Sequence, residues 1–390
     1  MPLHRDAQTR TSTAKAIGRV GTLAVALGIG AGFSANLFAA PAAQADSNLQ
    51  NSVEKAVHKA TPNVSVSVAG VGFSSGSAHA SSSGPNGAIA IGADSTATAK
   101  DGVGNTVVVV GHASNGTAAN GNFNRVVVVG DNNDAFAGNG NGNTVTVKGN
   151  NNVVRAGNGD NNSAKVVGNE NTPVLAGCAK YHAGSYGACD ATTRGNDGNT
   201  IKVVGDKNQT VIAGGIDNSE AGIAYVPGSD NSIAVKGDEN NPVYAGAGNG
   251  NQITVDGNKN SVQAASRDNN TTHVTGDSNT VFTLGEYAEN GPARASNNQV
   301  TVTGDSNIVN AFRGNDNQVA IDGNENKAVS NYADGNQVAI TGDHNTSGVG
   351  GMPTDYATGN QVTETGDTNS ATLINLDDTT VTLTGGQTYP

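Results

Sequence analysis

The sequence predicts an all-β chain, a β-solenoid (parallel β-helix) of about thirteen 19-residue coils with a short N-terminal helix. Three observations carry that prediction. A unit beginning Asn298-Gln-Val-Thr-Val-Thr-Gly304 returns at Asn317 and again at Asn336, a period of 19 residues. A glycine stands six positions after the leading residue in thirteen such units, from Gly111 and Gly130 to Gly366 and Gly385. The 390 residues hold 54 Gly, 7 Phe, 8 Tyr and no Trp, too little bulk for an ordinary globular core but enough Val and Ala for a thin one. A disordered chain shares such a composition, yet it has no reason to keep glycine in register thirteen times.

The first element, residues 1–45, is expected to be a signal peptide. Arg5, Arg10, Lys15 and Arg19 form a basic region, an apolar stretch follows from Val20 to Ala40, and Ala43-Gln44-Ala45 supplies a cleavage site before Asp46. Gly28, Gly30, Gly32, Ser34 and Asn36 break the apolar run, against a membrane anchor, and no later run could span a bilayer. The protein is therefore expected to be secreted, extracellular or at the cell surface. Cleavage removes four basic residues and Asp6 and takes the net charge from -12 to -15. So acidic a chain lacks the basic surface that nucleic acid demands.

Residues 46–104 follow as an N-terminal helix, a β segment and a cap. Leu49, Val53, Val57 and Ala60 lie on one stripe of a short amphipathic helix over 47–60, a lid for a solenoid end.

The solenoid itself is read over 105–390. Its nine-residue half starts at Asn105, Asn124, Asn143, Asn162, Asn199 and onward to Thr379. Val107 and Val109, Val126 and Val128, and Val145 and Val147 recur at every second position, the β-branched periodicity of a half-buried strand. The glycine permits a left-handed turn. The asparagine is expected to point inward at the corner and bond to its copies above and below. One coil cannot bury its own apolar face, but coils stacked at about 4.8 Å can, and thirteen make a rod of about 60 Å. Glu364 and Thr272 occupy inward positions as tolerated defects.

All length variation falls in the other half of the coil, so loops decorate one side. The insertions hold Cys178–Cys189, Ser219–Gly228, Gly285–Ser296 and Gly348–Thr358. In an exported chain Cys178 and Cys189 are expected to form one disulfide. Tyr181, Tyr186, Tyr225, Tyr287 and Tyr356 lie in these insertions and are the candidate binding residues. The alternative is that tyrosine is too bulky for a thin core and is simply excluded from it.

The uninterrupted face carries Gln299, Thr301 and Thr303, then Gln361, Thr363 and Thr365, a flat Thr/Gln surface, whereas Val108, Val110, Val127 and Val129 occupy the same columns earlier. Regular Thr-x-Thr rows raise an ice-binding alternative. Ala320, Ala339 and Asp322 break the rows, and Lys148, Lys165, Lys202 and Lys236 charge the earlier coils. The recurrent Gly-Asp-x-Asn, as at Gly205-Asp206, lacks the spacing of calcium-binding nonapeptides, and Asn150 and Asn169 dilute its Asp column. No catalytic residue, metal or cofactor is expected.

Gly87-Ala-Ile-Ala-Ile-Gly92-Ala-Asp-Ser-Thr-Ala-Thr-Ala99 resembles one head repeat of the trimeric autotransporter adhesins, whose heads are left-handed β-rolls. The Gly-x-x-Asn-x-Val pattern is similar to curlin repeats of functional amyloid. Both resemblances imply an extracellular surface, and neither carries enzymatic residues. The expected function is a non-enzymatic structural or adhesive surface protein whose partners are cell-surface glycans or other surface proteins. A fibre that self-assembles through its coil ends is the alternative.

Overall fold

The computed structural model describes residues 63–182, 185–188, 195–218, 223–237, 241–246, 248–257, 261–265, 271–273, 275–276, 280–284, 299–301, 303–304, 308–311, 318–320, 322–323, 327–331, 337–342, 346–350, 361–366, 370–374 and 380–384. The expected signal peptide and the 47–60 helix lie outside them. Among the described residues there is no helix.

The chain is a β-solenoid of two sixteen-stranded sheets. The nine-residue halves form the first sheet and the longer halves the second. Thr106–Val110, Arg125–Val129, Thr144–Lys148 and Ser163–Val167 stack in parallel with a shift of nineteen residues, so Thr106 faces Arg125 and Thr144 faces Ser163. The Gly87–Ile91 and Thr96–Ala99 strands pair in the same parallel register with Thr106–Val110 and Asn115–Ala119. The segment that resembles an adhesin head repeat is thus one more coil of each sheet.

The core lies between the sheets and is narrow. Val107, Val109, Val126, Val128, Val145 and Val147 point inward from the first sheet and are fully buried. Ala97, Ala118, Ala135, Ala137 and Ala156 meet them from the second. Gly116 shows how tight the fit is, because a Cβ there would come within 2.7 Å of Val109. Each buried valine contributes about 1.5–3 kcal/mol, so stability accumulates coil by coil. Thr272 stands in the inward column opposite Ile253 and Val300 and is 1% exposed. Glu364 shares a register column with Ile340 and Leu383.

Both inner corners carry buried polar ladders. Asn105 Oδ1 accepts the main-chain N–H of Asn124 at 2.9 Å, Asn124 Oδ1 that of Asn143, and Asn143 Oδ1 that of Asn162. The other corner repeats the device through Ser114, Asn133, Asn152, Asn171 and Asn208. The asparagine amide also donates to a carbonyl of the next coil, as Asn124 Nδ2 does to Gly140 at 2.8 Å. Corner backbone groups that water cannot reach are thereby satisfied.

The Asp column has a different role. Asp131 Oδ1 accepts the N–H of His112 at 2.7 Å, Asn150 Oδ1 that of Asp131, and Asp206 Oδ1 that of Asn169. These side chains, exposed at Asp131 and Asn150 and half-buried at Asp206, close turns between coils, and Asn serves as well as Asp because either supplies the oxygen.

At the N-terminal end Val64–Val68 runs antiparallel to both Gly87–Ile91 and Val71–Ser75. The second sheet begins with His79–Ser82. Its outer N–H groups meet side chains, not a strand: Ser65 Oγ accepts from Ala80 at 2.8 Å, and Ser67 Oγ from Ser82 at 3.0 Å.

Candidate functional site

Most coil strands of the second sheet are five residues long, as in Asp134–Gly138 and Val153–Gly157. Two are much longer, Val174–His182 and Val211–Asn218. They pair in parallel from Val174 opposite Val211 to Lys180 opposite Asp217. Beyond the coil each acquires an antiparallel return strand. Ser185–Ala188 pairs with the first, from Ala179 opposite Ala188 to His182 opposite Ser185. Ile223–Val226 pairs with the second through Ile216 opposite Val226, with a register irregularity between Ile216 and Asn218.

The two insertions were expected to be loops on one side of the rod. They form one projecting platform of four strands, in the order Ser185–Ala188, Val174–His182, Val211–Asn218 and Ile223–Val226. The physical cause is composition: Val, Ile and Tyr in these segments favour a pleated surface over a turn.

Several groups fix the platform to the rod. Gly177 and Gly214 hold φ of 120° and 133° at the bend where the strands leave the coil, and an added Cβ at either would meet main chain. Buried Asn196 accepts from the N–H of Gly215 at 2.9 Å and of Gly228 at 3.1 Å, and donates to the carbonyl of Asn158 at 3.2 Å. Leu175 and Ile212 occupy the outward column of the second sheet, in register with Arg155, yet both are buried. With Ala179 they make a second apolar cluster apart from the main core.

Beside this cluster lies a small cleft lined by Phe136, Asn139, Arg155, Asn158, Leu175 and Cys178. Arg155 is oriented there by an ion pair with the carboxylate of Asp134 and by donation to the Asp134 carbonyl at 3.0 Å.

Of the predicted residues, Tyr181, Tyr186 and Tyr225 fall on platform strands, with Tyr181 directly opposite Tyr186. Tyr287, Tyr356 and Cys189 lie outside the described residues, and Cys178 is buried at the platform base. Sequence reasoning missed Leu175 and Ile212. Their signal was present in the unbroken apolar runs Val174-Leu175-Ala176 and Val211-Ile212-Ala213, which mark strands covered on both faces.

Among the described residues no group of three or more His, Cys, Asp or Glu could hold a metal ion, and no helix is long and apolar enough to cross a membrane. No protein-family model, curated protein or solved structure matches the chain.

Proposed function

We propose that the chain is a secreted, non-enzymatic structural or adhesive surface protein, a rigid rod that displays a binding platform on one side. The observation that carries this reading is the joining of two insertions into one four-stranded projection. Hairpins held by a rigid scaffold suit recognition. Tyrosine gives contact area at low entropic cost, and three of the five candidates stand on this projection: Tyr181, Tyr186 and Tyr225. The partners are surface glycans or surface proteins, and the cleavable leader over 1–45 delivers the chain to them.

A disulfide between Cys178 and Cys189 braces the base of the platform. Cys178 directly precedes Ala179, which stands opposite Ala188, and Cys189 directly follows Ala188 in the sequence. Directly opposed strand residues lie about 4.5–5.5 Å apart at Cα, inside the range a disulfide spans.

The test is binding of residues 46–390 to cells and to a glycan array, with Tyr181→Ala/Tyr186→Ala/Tyr225→Ala as the variant. Binding should fall about tenfold or more while the circular dichroism stays β. A wild type that binds nothing, or a variant that binds as well as wild type, overturns the reading.

A further inference from the structure

We propose that the outward face of the first sheet is a second binding surface, for a linear acidic polysaccharide lying along the solenoid axis. Five consecutive strands of that sheet each present one cation outward: Arg125, Lys148, Lys165, Lys202 and Lys236. The four lysines are exposed. The five strands contain no Asp or Glu, in a chain whose formal net charge is -12. Among the described residues only Lys236 has a carboxylate partner, Asp256 at 2.9 Å.

The arrangement is costly for folding alone. Lys165 is directly in register with Lys202, so two ammonium groups stem from positions one strand spacing apart, about 4.8 Å. Like charges so placed repel, and the whole row lies within a span comparable to two Debye lengths at 0.1 M salt, so its field adds up. Carboxylates border the face at both corners, Asp131, Glu170 and Asp206 after the strands and Asp160, Asp197 and Asp230 before them, and none stands on the five strands themselves.

Geometry favours a polymer over a compact anion. The cations advance one coil at a time as a band of about 19 Å along the rod, with Arg125 at the first position of its strand, Lys165 and Lys202 at the third, and Lys148 and Lys236 at the fifth. No insertion interrupts the nine-residue half, so the row is open along its length. Val129 and Val204, 43% and 38% exposed, share the outer column with Lys148 and Lys236 and offer apolar floor to the C–H faces of sugar rings. The five strands carry no aromatic residue on which a nucleic-acid base could stack. This surface belongs to the other sheet from the platform and does not depend on that reading.

The experiment measures binding of residues 46–390 to polygalacturonate by affinity electrophoresis, with dextran, duplex DNA and anionic vesicles as comparisons. Polygalacturonate should bind, and binding should weaken as salt rises. Lys148→Gln/Lys165→Gln/Lys202→Gln should weaken it on the order of thirtyfold. The Lys→Arg triple at the same positions should retain binding, as should Lys100→Gln/Lys207→Gln, which removes two exposed lysines from elsewhere. Absence of binding, equal retention by dextran, tighter binding to DNA or vesicles, or equal losses in the two glutamine variants overturns the proposal.

Discussion

Asn199 donates its main-chain N–H to Oδ1 of Asn162 at 2.9 Å, although thirty-seven residues separate them. Asn143 makes the same bond to Asn124 at 2.9 Å across only nineteen. The first insertion therefore leaves the corner ladder unaltered. The coil is defined by its corners, and chain length between them is free to vary on one side.

Asn162→Ala should be costly because it strands the buried main-chain N–H of Asn199 and removes one of the two acceptors of its Nδ2, which keeps the carbonyl of Gly228. The expected loss is about 2–4 kcal/mol in urea unfolding. Asn150→Ala removes an exposed acceptor for the N–H of Asp131, which water can replace, and should cost under about 1 kcal/mol. Equal losses would mean that burial does not set the worth of these ladders.

Gly130 has φ of 127°, and a Cβ there would land on the carbonyl oxygen of Gly149. Gly195 has φ of 89°, and among the described residues only Pro227 is near it, at 3.9 Å. Gly130→Ala should therefore lower stability by at least about 2 kcal/mol, and Gly195→Ala by only about 1 kcal/mol. Thermal melts of the two variants separate the steric cost of stacking from the cost of the backbone conformation.

The serines at the N-terminal end bear on the fibre alternative. Ser65 and Ser67 occupy the N–H groups of Ala80 and Ser82, which an incoming strand would need. Wild type should stay monomeric in light scattering, and Ser65→Ala/Ser67→Ala should aggregate. Fibres formed by wild type, with the serines intact, would revive growth through both ends.

Native mass should be lower than reduced mass by two hydrogens if Cys178 and Cys189 are joined. Reduction should speed amide exchange around residues 179–188 and leave the Asn105–Asn162 ladder protected, because no ladder bond passes through the platform. The crosslink over so short a loop is worth about 3 kcal/mol to the hairpin. Exchange that rises along the whole rod would show that platform and solenoid unfold as one unit.

The flat face should give no thermal hysteresis. In register order Thr301 is followed by Ala320, Ala339, Thr363 and Thr382, so the threonine column is interrupted by two alanines. Hysteresis in wild type that Thr303→Lys and Thr365→Lys abolish would restore the ice-binding reading.

The periodic part of this fold was legible because each coil obeys the same local rules. Alternation at Val145 and Val147 set the inward face, and Gly149 and Asn143 marked the corners, all within a nine-residue window. Bonding of each corner asparagine to its copies was legible too, but the donation of its amide to a glycine carbonyl of the next coil, as from Asn124 to Gly140, was not. The cationic row was visible as residues but not as a row, because Lys165 and Lys202 become neighbours only once the intervening insertion is looped out.

The sequence by itself determined the repeat, the core and the side on which length varies, for these follow from spacing and side-chain chemistry between adjacent coils. Only the tertiary structure decided what the insertions become. Whether Val174–His182 and Val211–Asn218 stay as loops or join depends on a pairing between segments thirty-seven residues apart, from Val174 opposite Val211 to Lys180 opposite Asp217. No local pattern encodes that pairing. It arises because the coils hold both segments at one strand spacing, where each completes the backbone hydrogen bonds of the other.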